Sequence, residues 1–112
     1  MVQIISIKEL RKLIEKKGDY VLIDVRERGE LVKGMIPTAI NIPFRELKSY
    51  LVDSQRFDKG ANLIFYCRTG SRSQKACEIA ISLGFVNTRN YEGSIKEWSE
   101  IDSNVKYYEL KS

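Results

Sequence analysis

Two short apolar runs, at residues 20–24 and 62–66, constrain the fold of this chain more than any other feature of its sequence. Both runs are rich in β-branched, leucine and aromatic side chains, which is typical of strands that are covered on both faces. A predicted helix follows each run, at 27–33 and at 73–83. Because strands alternate with helices, we expect an α/β fold with a small, mainly parallel sheet and helices on both of its faces.

Capping patterns place the first and last helices. Residues 6–9 and 94–97 share the sequence Ser-Ile-Lys-Glu, in which the serine can cap a helix and the glutamate can reach back to the serine N–H. The first copy predicts a helix to about Lys17, and the second predicts a capped helix that buries Trp98. The other expected elements are strands at 39–42, 88–91 and 105–108 and a helix at 44–52.

The length of 112 residues fits one domain, which we expect to span 1–112. The longest stretch without a charged residue, 34–44, contains both prolines of the chain and is far shorter than a membrane span. Lys8 and Glu9 follow the first residues too closely for a signal peptide. We therefore expect a cytoplasmic protein with no membrane partner.

The absence of histidine excludes several kinds of active site. Ser-His-Asp triads, Cys-His pairs and histidine zinc sites are ruled out together, and two cysteines alone do not hold a metal, so we expect no metal site. Cys77 falls within a predicted helix and is interpreted as a packing residue. The net charge of +4 comes from 19 basic residues interspersed with 15 acidic ones, so we expect no nucleic-acid partner.

The strongest candidate site is the segment 67–72, which joins the apolar run at 62–66 to the helix predicted from Ser73. A short loop with a glycine can turn several backbone N–H groups towards one point, and the helix N-terminus adds the positive end of its dipole. With two arginines nearby, these groups favour the thiolate of Cys67, which is the predicted nucleophile. The residues expected to bind an anionic substrate are Arg68, Thr69, Gly70, Ser71 and Arg72.

Four segments together resemble the rhodaneses, a family of sulfurtransferases. Segment 67–73, Cys-Arg-Thr-Gly-Ser-Arg-Ser, is similar to the family's active-site loop, and 22–27 is similar to its early strand ending in Asp-x-Arg. Segment 34–43 resembles the family's Gly-His-Ile-Pro-Gly-Ala-Ile-Asn-Ile-Pro stretch, and 91–98 resembles its closing Gly-Gly…Trp segment. The match covers nearly the whole chain in the right order, and it implies a rhodanese-like three-layer fold.

The sequence departs from the family's pattern at three positions. Met35 stands where the family usually has histidine, and Thr38 and Ser94 stand where it usually has glycine. The change at Met35 removes a structural contact rather than a catalytic one. The Ser94 side chain is expected to narrow the approach to the loop, so the departures bear on specificity more than on reaction type.

The resemblance implies sulfur transfer in two steps, without a metal or an organic cofactor. Cys67 would take the outer sulfur of a small anionic donor, such as thiosulfate, as a persulfide and pass it to a thiol, a protein acceptor or cyanide. The resemblance also implies that Asp24 and Arg26 form an ion pair that braces the loop, and the alternative is a plain N-cap or a surface pair.

Two other functions stay open at this point. The first is a persulfide carrier or protein-binding module that does not turn over small donors. The second is a phosphatase or arsenate reductase, since one group of phosphatases uses the same fold with a Cys-x5-Arg loop. Here Cys67 and Arg72 form a Cys-x4-Arg loop. The tighter loop favours a single sulfur atom over a tetrahedral oxyanion.

Overall fold

The computed structural model describes residues 2–53 and 56–102, and the strand predicted at 105–108 lies outside them. Strands and helices alternate along the described chain. The strands are β1 (Gln3–Ile4), β2 (Val21–Asp24), β3 (Ile40–Asn41), β4 (Leu63–Tyr66) and β5 (Thr88–Asn90). The helices are α1 (Ile7–Glu15), a 3₁₀ helix (Arg28–Lys33), α2 (Phe44–Val52), α3 (Ser71–Ser82) and α4 (Ser94–Ile101).

The five strands form one parallel sheet in the order β1-β5-β4-β2-β3. The two apolar runs become the adjacent inner strands β2 and β4, in which Asp24 pairs with Tyr66 at the carboxyl ends. All four residues of β4 are buried, as the continuous apolar run predicts. The predicted α/β class and the mainly parallel sheet are confirmed.

Alternating side chains of the inner strands pack against different helix layers. Ile23 and Phe65 belong to a buried cluster with residues of α2 and α3. Leu22, Ile64 and Tyr66 belong to a second cluster with residues of α1 and α4, which includes the buried Trp98. Helices therefore cover both faces of the sheet, and the three-layer prediction is confirmed. No helix in residues 2–53 and 56–102 is long and apolar enough to cross a membrane.

The starts of α1, α4 and α3 agree with the sequence predictions to different degrees. The capping box predicted at residues 6–9 is confirmed, because Ser6 Oγ accepts the Glu9 N–H and the Glu9 carboxylate accepts the Ser6 N–H. The capping box predicted at residues 94–97 is wrong: Gly93 holds the N-cap position without a side-chain cap, and Ser94 is the first residue of α4. Helix α3 also begins at Ser71, two residues before the predicted start at Ser73.

Candidate active site

The carboxyl ends of β2 and β4 bring two of the predicted site segments to the same edge of the sheet. Cys67 directly follows β4, and Asp24 is the last residue of β2. The ladder continues one step beyond the strands, where the Val25 N–H donates to the Tyr66 carbonyl at 3.0 Å. This edge is where ligands bind in parallel α/β sheets, because loops and helix N-termini converge there.

The loop that follows Cys67 turns sharply into α3 and depends on a glycine. Gly70 has φ +102°, in the left-handed region, and a Cβ at this position would lie 2.5 Å from the Glu92 carbonyl oxygen. Glycine alone satisfies both conditions. The turn places the Gly70 N–H 3.0 Å from Cys67 Sγ, to which it donates. The predicted convergence of backbone N–H groups on the cysteine is thus present in the loop.

The Cys67 side chain is fully buried, and hydrogen-bond donors surround its sulfur. Burial raises the pKa of the thiol, but the Ser73 hydroxyl and the backbone N–H groups of Ser73, Gly70 and Thr69 outweigh it, so the pKa of Cys67 lies below its ordinary value. The Ser73 hydroxyl lies 3.5 Å from Sγ. These donors, rather than the two arginines, are the main causes of the lowered pKa.

The two loop arginines have different environments. Arg72, in the first turn of α3, donates two hydrogen bonds to the Glu30 carboxylate at 2.8 and 2.9 Å. The guanidinium of Arg72 holds the pKa of Glu30 at about 2, so this carboxylate stays charged. Arg68 is exposed, and its side chain makes no ion pair or hydrogen bond with the residues that the structure describes. Of the pair, Arg68 therefore carries the charge that is available to a ligand.

Glu30 is a site residue that sequence reasoning missed. It lies in the 3₁₀ helix, where its carboxylate also accepts the Glu27 N–H at 2.8 Å. The spacing of Glu27 and Glu30 fits an N-terminal cap and could have indicated that contact. The pairing with Arg72 spans 42 positions of sequence, and no local pattern indicates it.

Asp24 and Arg26 form a buried ion pair with an N–O distance of 2.8 Å. Arg26 also donates to the carbonyls of Gly34 at 2.8 Å and Glu30 at 3.3 Å. Within the described residues these bonds hold the segment of the 3₁₀ helix, and the Arg26 guanidinium also lies over the ring of Tyr66, the residue before Cys67, at 6.0 Å from its centre. The burial excludes an ordinary surface pair, and the bracing of the Cys67 loop by this pair stays a prediction.

Helix α4 supports the Cys67 loop from the other side. The Ile95 N–H donates to the Cys67 carbonyl at 3.1 Å, and the Lys96 N–H donates to the Arg68 carbonyl at 3.2 Å. The Cys67 N–H donates to Ser94 Oγ, also at 3.1 Å. The N-terminus of α4 thus fixes the backbone on which the nucleophile stands.

Two of the three departures from the family's pattern have left-handed backbones. Thr38 has φ 75° and Ser94 has φ 59°, and these are the two positions where the resemblance expects glycine. The backbone therefore keeps the conformation that favours glycine although the side chain has changed. Met35, at the histidine position, is buried.

Two clefts flank the loop, each of about 570 Å³. One is lined by Arg68, Lys33 and Lys96 together with the carboxylates of Glu30 and Glu100. The other is lined by the loop residues Thr69, Gly70 and Ser71 and includes Glu92 and Glu97. The first cleft presents the free guanidinium of Arg68 and is the better place for an anion.

Comparison with known proteins defines the class. A family model described as "Rhodanese-like domain" matches residues 6–101. The chain is 38% identical over 110 residues to thiosulfate:glutathione sulfurtransferase of Homo sapiens, covering 88% of this chain and 95% of that protein. It is 33% identical over 108 residues to the Saccharomyces cerevisiae protein of the same name, covering 87% of this chain and 78% of the relative.

A solved structure agrees with the sequence relatives. The human single-domain sulfurtransferase TSTD1 superposes with a TM-score of 0.80 at 34% identity, covering 91% of this chain and 99% of that one. The chain belongs to the rhodanese-like domain family and is an enzyme of the rhodanese-type sulfurtransferase class.

Proposed function

We propose that this sulfurtransferase carries a sulfane sulfur on Cys67, which it takes from a small anionic donor and gives to a thiol. The observation that carries the proposal is the hydrogen bond from the Gly70 N–H to Cys67 Sγ. A backbone donor aimed at Sγ stabilises the negative charge of the Cys67 thiolate at no cost of reorganisation. In the persulfide the negative charge lies on the outer sulfur, which the loop N–H groups are proposed to hold. The loop residues Arg68, Thr69, Gly70, Ser71 and Arg72 are proposed as the anion-binding group.

The first step is a displacement at sulfur. The Cys67 thiolate attacks the outer sulfur of a donor such as thiosulfate, and a new S–S bond forms while the donor's own S–S bond breaks. The bonding electrons leave with sulfite, so Cys67 becomes a persulfide and no external oxidant or reductant is needed. Arg68, whose side chain makes no ion pair with the described residues, is proposed to attract the donor and its leaving anion.

The second step regenerates the thiolate. A thiolate acceptor attacks the outer sulfur of the persulfide, and the Cys67 sulfur leaves with the electron pair. Cyanide reacts in the same way and gives thiocyanate. The human and yeast relatives are named for glutathione, and a low-molecular-weight thiol is our proposed acceptor for this chain as well. A protein thiol is the alternative acceptor.

Burial places a condition on both steps. Because the Cys67 side chain is fully buried, its sulfur meets a donor only after the residues around it shift. Arg68, Thr69 and Ser71 are exposed residues of the loop segment, whereas Gly70 is packed against Glu92. We propose that Arg68 and Thr69 move to admit the donor, while the turn at Gly70 keeps its position.

Intact mass spectrometry tests the proposal. The protein is exposed to thiosulfate, desalted and weighed, then incubated with glutathione and weighed again, with parallel assays of thiosulfate:cyanide transfer and para-nitrophenyl phosphate hydrolysis. We expect the mass of one added sulfur on the peptide that contains Cys67, its loss on addition of the thiol, and turnover in the transfer assay. Phosphate hydrolysis without sulfur uptake would overturn the proposal.

A gain of one sulfur without turnover would identify a persulfide carrier instead of an enzyme that uses small donors. The cellular location and the domain organisation also stay predictions. Cell fractionation tests the expected cytoplasmic location, and limited proteolysis tests the expected single domain over 1–112.

A further inference from the structure

Ser94 has a backbone conformation that serine rarely adopts. Its φ of 59° lies in the left-handed region, where every residue with a Cβ meets a steric penalty and glycine does not. The side chain is fully buried. A serine at this place therefore carries a conformational cost that glycine avoids.

The hydroxyl of Ser94 contacts both the backbone and the side chain of the nucleophile. Ser94 Oγ accepts the Cys67 N–H at 3.1 Å and donates to the Tyr91 carbonyl at 3.0 Å. The same oxygen lies 4.0 Å from Cys67 Sγ. Without this hydroxyl the buried N–H of Cys67 would lose the acceptor that the structure gives it.

A second hydroxyl has a similar arrangement beside the sulfur. Ser73 Oγ lies 3.2 Å from the Gly70 carbonyl and 3.5 Å from Cys67 Sγ. Each serine has one hydroxyl proton, for which a backbone carbonyl and the sulfur compete. Because charged acceptors form stronger hydrogen bonds than neutral ones, ionisation of the sulfur shifts both protons towards it.

We propose that Ser94 is a positioning residue for Cys67. Its hydroxyl oxygen accepts a hydrogen bond from the Cys67 backbone N–H. When the Cys67 sulfur is charged, the hydroxyl donates its proton to that sulfur instead of to the Tyr91 carbonyl. The result is a stabilised Cys67 thiolate, which on the proposed function is both the group that attacks the donor and the group released when the persulfide is consumed. The thiolate is sufficient to test the proposal, so the test does not depend on sulfur transfer.

Three variants separate the hydroxyl from the backbone conformation. Ser94→Ala removes the hydroxyl and keeps a Cβ in the left-handed region, whereas Ser94→Gly removes both. Ser82→Ala is the matched control, because the exposed Ser82 hydroxyl donates to the Ile79 carbonyl three residues before it, as Ser94 does to Tyr91. The measurement is the rate of Cys67 alkylation against pH, with thermal unfolding recorded for each variant.

We expect both Ser94 variants to raise the midpoint of Cys67 alkylation by about half a pH unit, because each removes a donor to the charged sulfur. Ser82→Ala is expected to leave this midpoint unchanged. Only Ser94→Ala should lower the unfolding temperature clearly, because it alone keeps the steric penalty without the hydroxyl.

Wild-type midpoints in both Ser94 variants would overturn the proposal, and so would a shift in Ser94→Ala alone, which would trace the effect to the backbone. If Ser94→Ala does not fold, Ser94→Gly decides by itself. A shifted midpoint in a protein that takes up no sulfur from thiosulfate would support the role of Ser94 and contradict the proposed function.

Discussion

The two cysteines of this chain show what makes a thiol reactive. Cys67 and Cys77 are both fully buried, both free, and belong to the same hydrophobic cluster. Burial raises the pKa of Cys77 to about 12, with a smaller contribution from the charge of Glu78. The same burial penalty acts on Cys67, but hydrogen bonds from Ser73 and the loop N–H groups reverse it. The difference between the cysteines lies in hydrogen-bond donors and not in exposure.

Substitution of each cysteine gives the largest expected contrast. We expect Cys67→Ser to abolish thiosulfate-dependent sulfur transfer, because a hydroxyl in the same loop is not ionised at neutral pH. Cys77→Ala should keep activity within about twofold and cost about 1 kcal/mol of stability for the small cavity it leaves. Steady-state transfer assays and urea unfolding measure the two effects. Loss of activity in a folded Cys77→Ala protein would contradict a mechanism with one cysteine.

The two thiols should also affect stability with opposite dependence on pH. Cys67 has a lowered pKa, so with rising pH its thiol loses the proton in the folded state before it does so in the unfolded state. The free energy of unfolding, relative to that of Cys67→Ala, therefore rises with pH up to about 8.5, the pKa of an unfolded thiol. Cys77 has a raised pKa, so stability relative to Cys77→Ala falls as pH rises from about 8.5 towards the folded pKa of about 12.

The size of the alkaline effect follows from the shift. At about pH 10.5 the loss from Cys77 should reach about 2–3 kcal/mol. Urea unfolding of the wild type and of both alanine variants over pH 6–10.5 measures these differences. Parallel curves for the wild type and Cys77→Ala above pH 9 would show that Cys77 ionises freely in the folded state and would remove the contrast between the two thiols.

Substitution of Ser73 is a more direct way to reduce the difference in pKa between Cys67 and Cys77. Its hydroxyl, 3.5 Å from Cys67 Sγ, is the foremost of the groups that lower the Cys67 pKa. We expect Ser73→Ala to raise the midpoint of Cys67 alkylation by about one pH unit, the equivalent of one hydrogen bond to a charged group. The midpoint of Cys77 in denaturant is the internal reference. An unmoved Cys67 midpoint would assign the lowered pKa to the backbone N–H groups alone.

The sequence predicts the parts of this fold that local physics determines. Unbroken apolar runs predict buried inner strands, and both β2 and β4 are found where the runs lie. The contact of Gly70, two residues before the end of the loop 67–72, could not be assigned in advance, because its close approach to Glu92 joins segments 22 positions apart. The same holds for the bond between Arg72 and Glu30.

The repeated tetrapeptide Ser-Ile-Lys-Glu shows where local reasoning fails. At residues 6–9 it forms a capping box at the exposed start of α1. At residues 94–97 the identical sequence follows Gly93 and packs against the Cys67 loop, and its serine bonds to the Cys67 N–H instead of capping the helix. Tertiary contacts with the Cys67 loop therefore determine which group the serine hydroxyl binds, and a window of four residues contains no information about those contacts.

The loop arginines give the smallest expected effect and refine the comparison of the thiols. The arrangement in the sequence predicts that either arginine lowers the Cys67 pKa, but Arg72 is paired with Glu30 and Arg68 is exposed. We therefore expect Arg68→Ala to leave the alkylation midpoint of Cys67 within about 0.2 units, since an exposed charge is screened by solvent.

The same variant should instead raise the KM for thiosulfate by about threefold at low ionic strength, because the positive charge of Arg68 attracts the anionic donor. The difference in KM between the variant and the wild type should shrink in 0.5 M salt, at which the screening length falls to roughly 4 Å. Lys8→Ala, at an exposed position in α1, controls for the loss of one charge from the whole protein. Transfer kinetics at two salt concentrations and the pH dependence of alkylation measure the two effects separately. A shifted Cys67 midpoint with an unchanged KM would show that Arg68 lowers the pKa of Cys67 rather than attracting the donor. The difference in pKa between the two cysteines would then depend on charge as well as on hydrogen-bond donors.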